Sequence, residues 1–73
     1  MSKNTDQALA VFLRALADLN TAIDLDKNYE ETYSARGSVY LQTGMPQLAV
    51  ADFRKACALG YPSGCEMVRS FGP

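Results

Sequence analysis

The stretch from Ala15 to Asp26, Ala-Leu-Ala-Asp-Leu-Asn-Thr-Ala-Ile-Asp-Leu-Asp, returns in altered form from Ala49 to Gly60 as Ala-Val-Ala-Asp-Phe-Arg-Lys-Ala-Cys-Ala-Leu-Gly, an offset of 34 residues. Ala15/Ala49, Ala17/Ala51, Asp18/Asp52, Ala22/Ala56 and Leu25/Leu59 are identical, and Leu16/Val50 and Leu19/Phe53 stay apolar. Self-similarity at this period is the signature of stacked helix-turn-helix units, none of which buries its apolar face alone.

The chain has 73 residues, enough for one domain, and a core of that size rarely supplies more than roughly 3–5 kcal/mol of net stability. Hydrophobic residues make up 48% and charged residues 21%, a composition that folds rather than one that stays disordered. With a formal net charge of −1 there is no basic field to neutralise phosphates, so nucleic acid is not an expected partner. The longest apolar run, Ala8 to Leu13, falls well short of the ~20 residues that span a bilayer, and no membrane partner is expected. Met-Ser-Lys-Asn-Thr-Asp-Gln does not open a secretory signal, so the chain as written is expected in the cytoplasm. A segment excised from an exported parent would begin in the same way and sit outside it.

Leu9, Phe12, Leu13, Leu16, Leu19 and Ile23 recur at three- and four-residue spacing, which predicts a long first helix over about 5–26. Asn28 followed by Glu31 has the spacing of a capping box, so a second helix is expected over about 29–43. Gly44 closes it, and Pro46 suits the first turn of a third helix over about 46–59. Gly60 closes that one, and Ser63 with Glu66 repeats the capping spacing ahead of a short fourth helix over about 63–70. No segment alternates with period two, so the expected class is all-α, with antiparallel helices joined by short turns.

Tyr33-x2-Arg36-Gly37-x2-Tyr40 followed by Ala49-x3-Phe53-x2-Ala56 resembles the tetratricopeptide repeat family. The likeness covers one full repeat, about Glu30 to Leu59, and implies a helical scaffold that binds protein or peptide partners. It gives Gly37 and Ala49 the task of letting two helices approach, Ala56 that of making room for the next helix, and the aromatics that of filling the remainder. Arg36 departs from the pattern, since Leu is common there; its charged head must reach solvent or a carboxylate while its stem packs. Lys27 stands where Pro commonly follows the first copy, and Pro62 comes one residue late after the second. The first copy is also only half a repeat, because residues 1–14 carry neither the glycine nor the turn of a first helix. The expected domain is therefore a half repeat over 5–26, a complete repeat over 29–59 and a capping helix over 63–71.

A half repeat leaves Leu9, Phe12, Leu13 and Leu16 without a hairpin partner, and an exposed apolar stripe of this kind marks a contact surface. Pairing of two chains into a homodimer is the expectation, with a fold-back of the fourth helix or the loops as the alternative. The family's concave face falls on Glu31, Ser34, Ala35, Ser38, Leu41 and Gln42, all small or largely neutral apart from Glu31. Repeats that clamp a terminal carboxylate use Asn with Lys or Arg on that face, so Ala35 and Gln42 disfavour such peptides. A plain solvated helix face accounts for these six residues equally well.

Cys57-Ala-Leu-Gly-Tyr-Pro-Ser-Gly-Cys65 looks like the linker of Sel1-like repeats, in which cysteines at this spacing bridge adjacent helices. That resemblance makes Cys57 and Cys65 a candidate disulfide; a cytosolic chain would instead keep both thiols reduced, with Cys57 a small packing residue. The sequence contains no His and only two Cys, so neither a metal site nor the commonest general base is expected, and no cofactor. Asp24, Asp26, Glu30 and Glu31 lie near helix ends, where acids more often serve the helix dipole or a solvated face. Asp18 and Asp52 hold equivalent places in the echo and face solvent or a neighbouring Arg. Glycines are scattered singly, without a phosphate-cradling loop. The sequence thus predicts a non-enzymatic interaction module; the alternatives are a small redox-responsive helical protein switching through Cys57 and Cys65, and an excised or designed repeat fragment.

Overall fold

Two near-identical turns and one dissimilar turn divide the chain. A computed structural model describes residues 3–71, and side-chain environments over 7–71. Within that span lie four helices, α1 (Lys3–Leu25), α2 (Glu30–Gln42), α3 (Pro46–Ala58) and α4 (Pro62–Ser70), each packed on the next. The class is all-α, built of tetratricopeptide-like helical hairpins, and each boundary lies within two residues of the sequence expectation.

Gly44 and Gly60 adopt φ of 79° and 98°, a conformation that costs other residues a Cβ clash. In the first case the Met45 and Gly44 amides donate to the Tyr40 and Leu41 carbonyls; in the second, Tyr61 and Gly60 donate to Ala56 and Cys57. These paired bonds satisfy the last carbonyls of α2 and α3. A proline then opens the next helix in each case, Pro46 and Pro62, where the missing amide hydrogen is no loss. The α1–α2 turn has neither Gly nor Pro. There the Asp26 carboxylate accepts the Asn28 amide at 3.0 Å, and the Tyr33 hydroxyl reaches back to donate to the Lys27 carbonyl at 2.8 Å.

Both expected capping boxes are absent. Tyr29, in extended backbone, precedes α2 and makes no side-chain cap bond, and Tyr61 does the same before α4. The physical reason differs at each site. Asp26 already holds the Asn28 backbone in the tight turn, so α2 starts one residue too late for the Asn28 oxygen to cap it. At α4 the fixed φ of Pro62 sets the helix start, and Ser63 falls inside the helix.

The core lies between α2 and α3. Ala49 and Ala56 are fully buried and Phe53 is 1% exposed; Ile23 of α1 and Tyr33 of α2 cluster with Ala56, and Leu59 and Tyr61 pack against them. A Cβ on Gly37 would meet two Phe53 ring atoms at 3.0 Å and the Ala49 carbonyl oxygen at 3.2 Å, so the α2–α3 distance depends on the missing side chain. Gly64 does the same for α4, its Cβ position lying 2.9 Å from the Phe53 carbonyl oxygen and 3.0 Å from the Ala56 Cβ. The helices form a thin slab, 39 × 31 × 14 Å, with a radius of gyration of 12.9 Å. A compact chain of this length has about 11 Å.

These contacts set the sign of a substitution. Alanine is the better helix former by about 1 kcal/mol, yet Gly37→Ala and Gly64→Ala are expected to lower stability by about 1–3 kcal/mol, because a buried ring or backbone must move. Thermal melts followed by circular dichroism check this; a raised Tm for either variant contradicts the close-approach account.

Candidate interaction surfaces

Arg36 sits one helical turn from both Tyr33 and Tyr40, with its guanidinium carbon 5.8 Å from each ring centroid. From there it bonds to two other helices. Its Nε and one terminal nitrogen donate to the two Asp52 carboxylate oxygens on α3 at 2.8 and 2.7 Å, and its other terminal nitrogen donates to Asn20 Oδ1 on α1 at 2.8 Å. The Asp52 side chain is 7% exposed and that of Arg36 22%. Hydrogen bonding to Asp52 pushes the Arg36 pKa further above its ordinary value, outweighing the opposing effect of burial, so the group stays charged. The departure from the family pattern at Arg36 is thus resolved by Asp52. Asp18, its equivalent in the echo, is exposed.

The pairing of Asn20 with Arg36 sets the register of α1 against the antiparallel α2. With those residues level, the end of α2 at Gln42 reaches about residue 14 of α1, and the preceding part of α1 projects roughly 16 Å beyond it at 1.5 Å per residue. Of the stripe residues, Leu9 and Leu13 are 50% and 55% exposed, while Phe12 and Leu16 are half-buried. The four residues are thus unequally open, with Phe12 and Leu16 partly covered and Leu9 and Leu13 exposed.

On α2, Glu31, Ala35, Ser38 and Gln42 are exposed and Ser34 and Leu41 half-buried, so the six residues lie along the helix surface. The Glu31 carboxylate accepts a bond from the Tyr29 hydroxyl at 2.9 Å, which holds the pKa of that phenol above its usual value. Two shallow depressions lie elsewhere. One, of about 380 Å³, is lined by Pro46, Gln47, Val50, Arg54 and Phe71. The other, of about 410 Å³, is formed by Gly44 to Leu48. Neither involves the six α2 residues, and no signal in the sequence pointed to this outer face of α3.

Cys57, in the last turn of α3, and Cys65, in the first turn of α4, are joined by a disulfide with Cα atoms 4.7 Å apart. Closing so short a loop stabilises by about 2–3 kcal/mol in the chain-entropy model. Among the described residues no group of three or more His, Cys, Asp or Glu is placed to hold a metal, and no helix is long and apolar enough to cross a membrane.

With this geometry, the chain is similar to a TPR repeat: the family model matches residues 12–44, the part of α1 from Phe12 and all of α2. No curated protein and no solved structure matches the chain. TPR repeats generally mediate contacts between proteins and are typically non-catalytic scaffolds, and the match suggests an interaction module here.

The echo supplies a paired test. Asp52→Ala leaves Arg36 partly buried without its carboxylate and is expected to cost about 3 kcal/mol. Asp18→Ala, on an open surface, is expected to stay within about 0.5 kcal/mol. Urea titration of both variants checks the difference; equal effects contradict the placement of the two aspartates.

Proposed function

We propose that the protein is a TPR-type scaffold that pairs with a second copy of itself through the projecting part of α1, with a Sel1-like linker between Cys57 and Cys65. The observation that carries this reading is the exposure of Leu9 and Leu13, one helical turn apart on the same face of a helix that outruns its partner. Surface area supports it. The chain exposes 5082 Å², against about 4,450 Å² for a compact monomer of 8.0 kDa. The excess is comparable with the roughly 800 Å² that each partner buries in a standard interface. Small residues alongside, Ala8, Ala10 and Ala17, allow a second helix to come close. A protein or peptide partner on the α2 face of Ser34, Ala35, Ser38 and Gln42 is compatible with this pairing, since the two surfaces use different helices.

The disulfide favours a second, compatible reading in which the chain responds to redox state. Both cysteines are half-buried rather than enclosed in the core.

Molar mass measured by light scattering across concentration tests the leading reading. A rise toward twice 8.0 kDa is expected for the natural sequence, and Leu9→Glu with Leu13→Glu is expected to hold the mass at 8.0 kDa without changing the helical signal. A mass of 8.0 kDa at every concentration in the natural sequence contradicts self-association.

A further inference from the structure

We infer that the Cys57–Cys65 disulfide is a redox latch for α4: while it is intact α4 stays docked on α3, and reduction releases α4 and uncovers the α3 face around Phe53 and Ala56. The inference rests on the redox-responsive reading and specifies what moves.

Apart from the bridge, α4 has no buried side chain to hold it in place. At nine residues it is shorter than the roughly 12–15 that a helix needs to persist alone in water. The one residue it buries is Gly64, which has no side chain to contribute. Met67 and Val68 are only half-buried, and Phe71, just past the helix, is 42% exposed with its ring 6.2 Å from that of Phe53. By contrast α2 buries Thr32, Tyr33 and Gly37 and carries the Arg36 node. No comparable ion pair ties α4 to α3 among the described residues, and the Ser70 hydroxyl bonds back within α4 to the Glu66 carbonyl. The covalent bond therefore supplies a large share of what keeps α4 in place.

Its position suits that role. One sulfur is in the last turn of α3 and the other in the first turn of α4, directly beside the Gly64 contact, where the Cβ position meets the Cys57 backbone nitrogen at 3.0 Å. Opening the bridge removes the restraint at the point where the two helices meet. In the reaction, one thiolate of a dithiol attacks a cysteine sulfur, the other cysteine leaves as a thiolate, and the second dithiol sulfur displaces the first cysteine. Two electrons pass to the cystine, both cysteines take up protons, and the dithiol becomes its own disulfide. Gly60, with φ of 98°, and the half-buried Tyr61 then form a hinge between α3 and α4.

Hydrogen exchange read by mass spectrometry on the full chain tests this. Three samples are compared: oxidised protein, protein reduced with dithiothreitol, and Cys57→Ser with Cys65→Ser in the absence of reductant. Alkylation with iodoacetamide reports the thiol state in parallel. Exchange over residues 62–71 is expected to accelerate roughly 30- to 150-fold in the second and third samples, with α2 and α3 unchanged. Retained protection of α4 once alkylation shows both thiols free overturns the latch. So does loss of protection in α2 and α3 together with α4, which makes the bridge a staple for the whole fold. Equal labelling of both cysteines with and without dithiothreitol removes the redox reading itself, a result distinct from a reduced chain whose α4 stays docked.

Discussion

Three helices meet at the Arg36 guanidinium. Its planar fork takes both oxygens of Asp52 on α3 while the remaining nitrogen takes Asn20 on α1, an arrangement that a lysine ammonium does not reproduce. A buried ion pair is not in itself a strong source of stability, because desolvation offsets much of the attraction. What it supplies here is position. Among the described residues no other side-chain hydrogen bond joins α1 to α2, and apolar surfaces tolerate sliding; the Asn20–Arg36 bond fixes which turn of α1 faces which turn of α2. The projection of α1 past α2, and so the exposure of Leu9 and Leu13, follows from that register.

The pair exists because α2 and α3 come close, and Gly37 sets that distance by leaving room for the Phe53 ring. Packing and charge lie side by side: Asp52, next to Phe53 in α3, is buried, and the lowered dielectric there strengthens the Arg36–Asp52 bonds. Away from this centre the molecule thins out. α1 has one buried apolar residue in its last turns, Ile23, and α4 has one buried glycine. A slab with a dense middle and sparse ends is what a slice through a repeat array looks like, and the behaviour proposed for the chain belongs to the two ends.

Much of this was legible in the sequence. The likeness carried by Gly37, Ala49, Phe53 and Ala56 implied the close α2–α3 packing, and Gly44 with Pro46, and Gly60 by itself, pointed to the turns, because a left-handed backbone and a missing amide hydrogen are constraints local to the residue. The caps failed where two local signals competed: Asp26 took the Asn28 amide first, and Pro62 overrode Ser63. Asn20 as a partner of Arg36 had no local signal, since the two lie 16 residues apart. The graded exposure along α1, with Leu9 and Leu13 open and Phe12 and Leu16 partly covered, is a tertiary property that apolar spacing alone does not contain. The approach of Cys57 to Cys65 depends on the Gly64 notch, a tertiary distance that spacing alone does not contain.

If Arg36 couples the three larger helices into one unit, its two partners must depend on each other although they never touch. A double-mutant cycle of Asn20→Ala and Asp52→Ala, read by urea denaturation, measures this directly. The account predicts non-additive destabilisation, with a coupling energy above about 0.5 kcal/mol, because loss of Asp52 frees the guanidinium that Asn20 needs. Strict additivity of the two substitutions contradicts it.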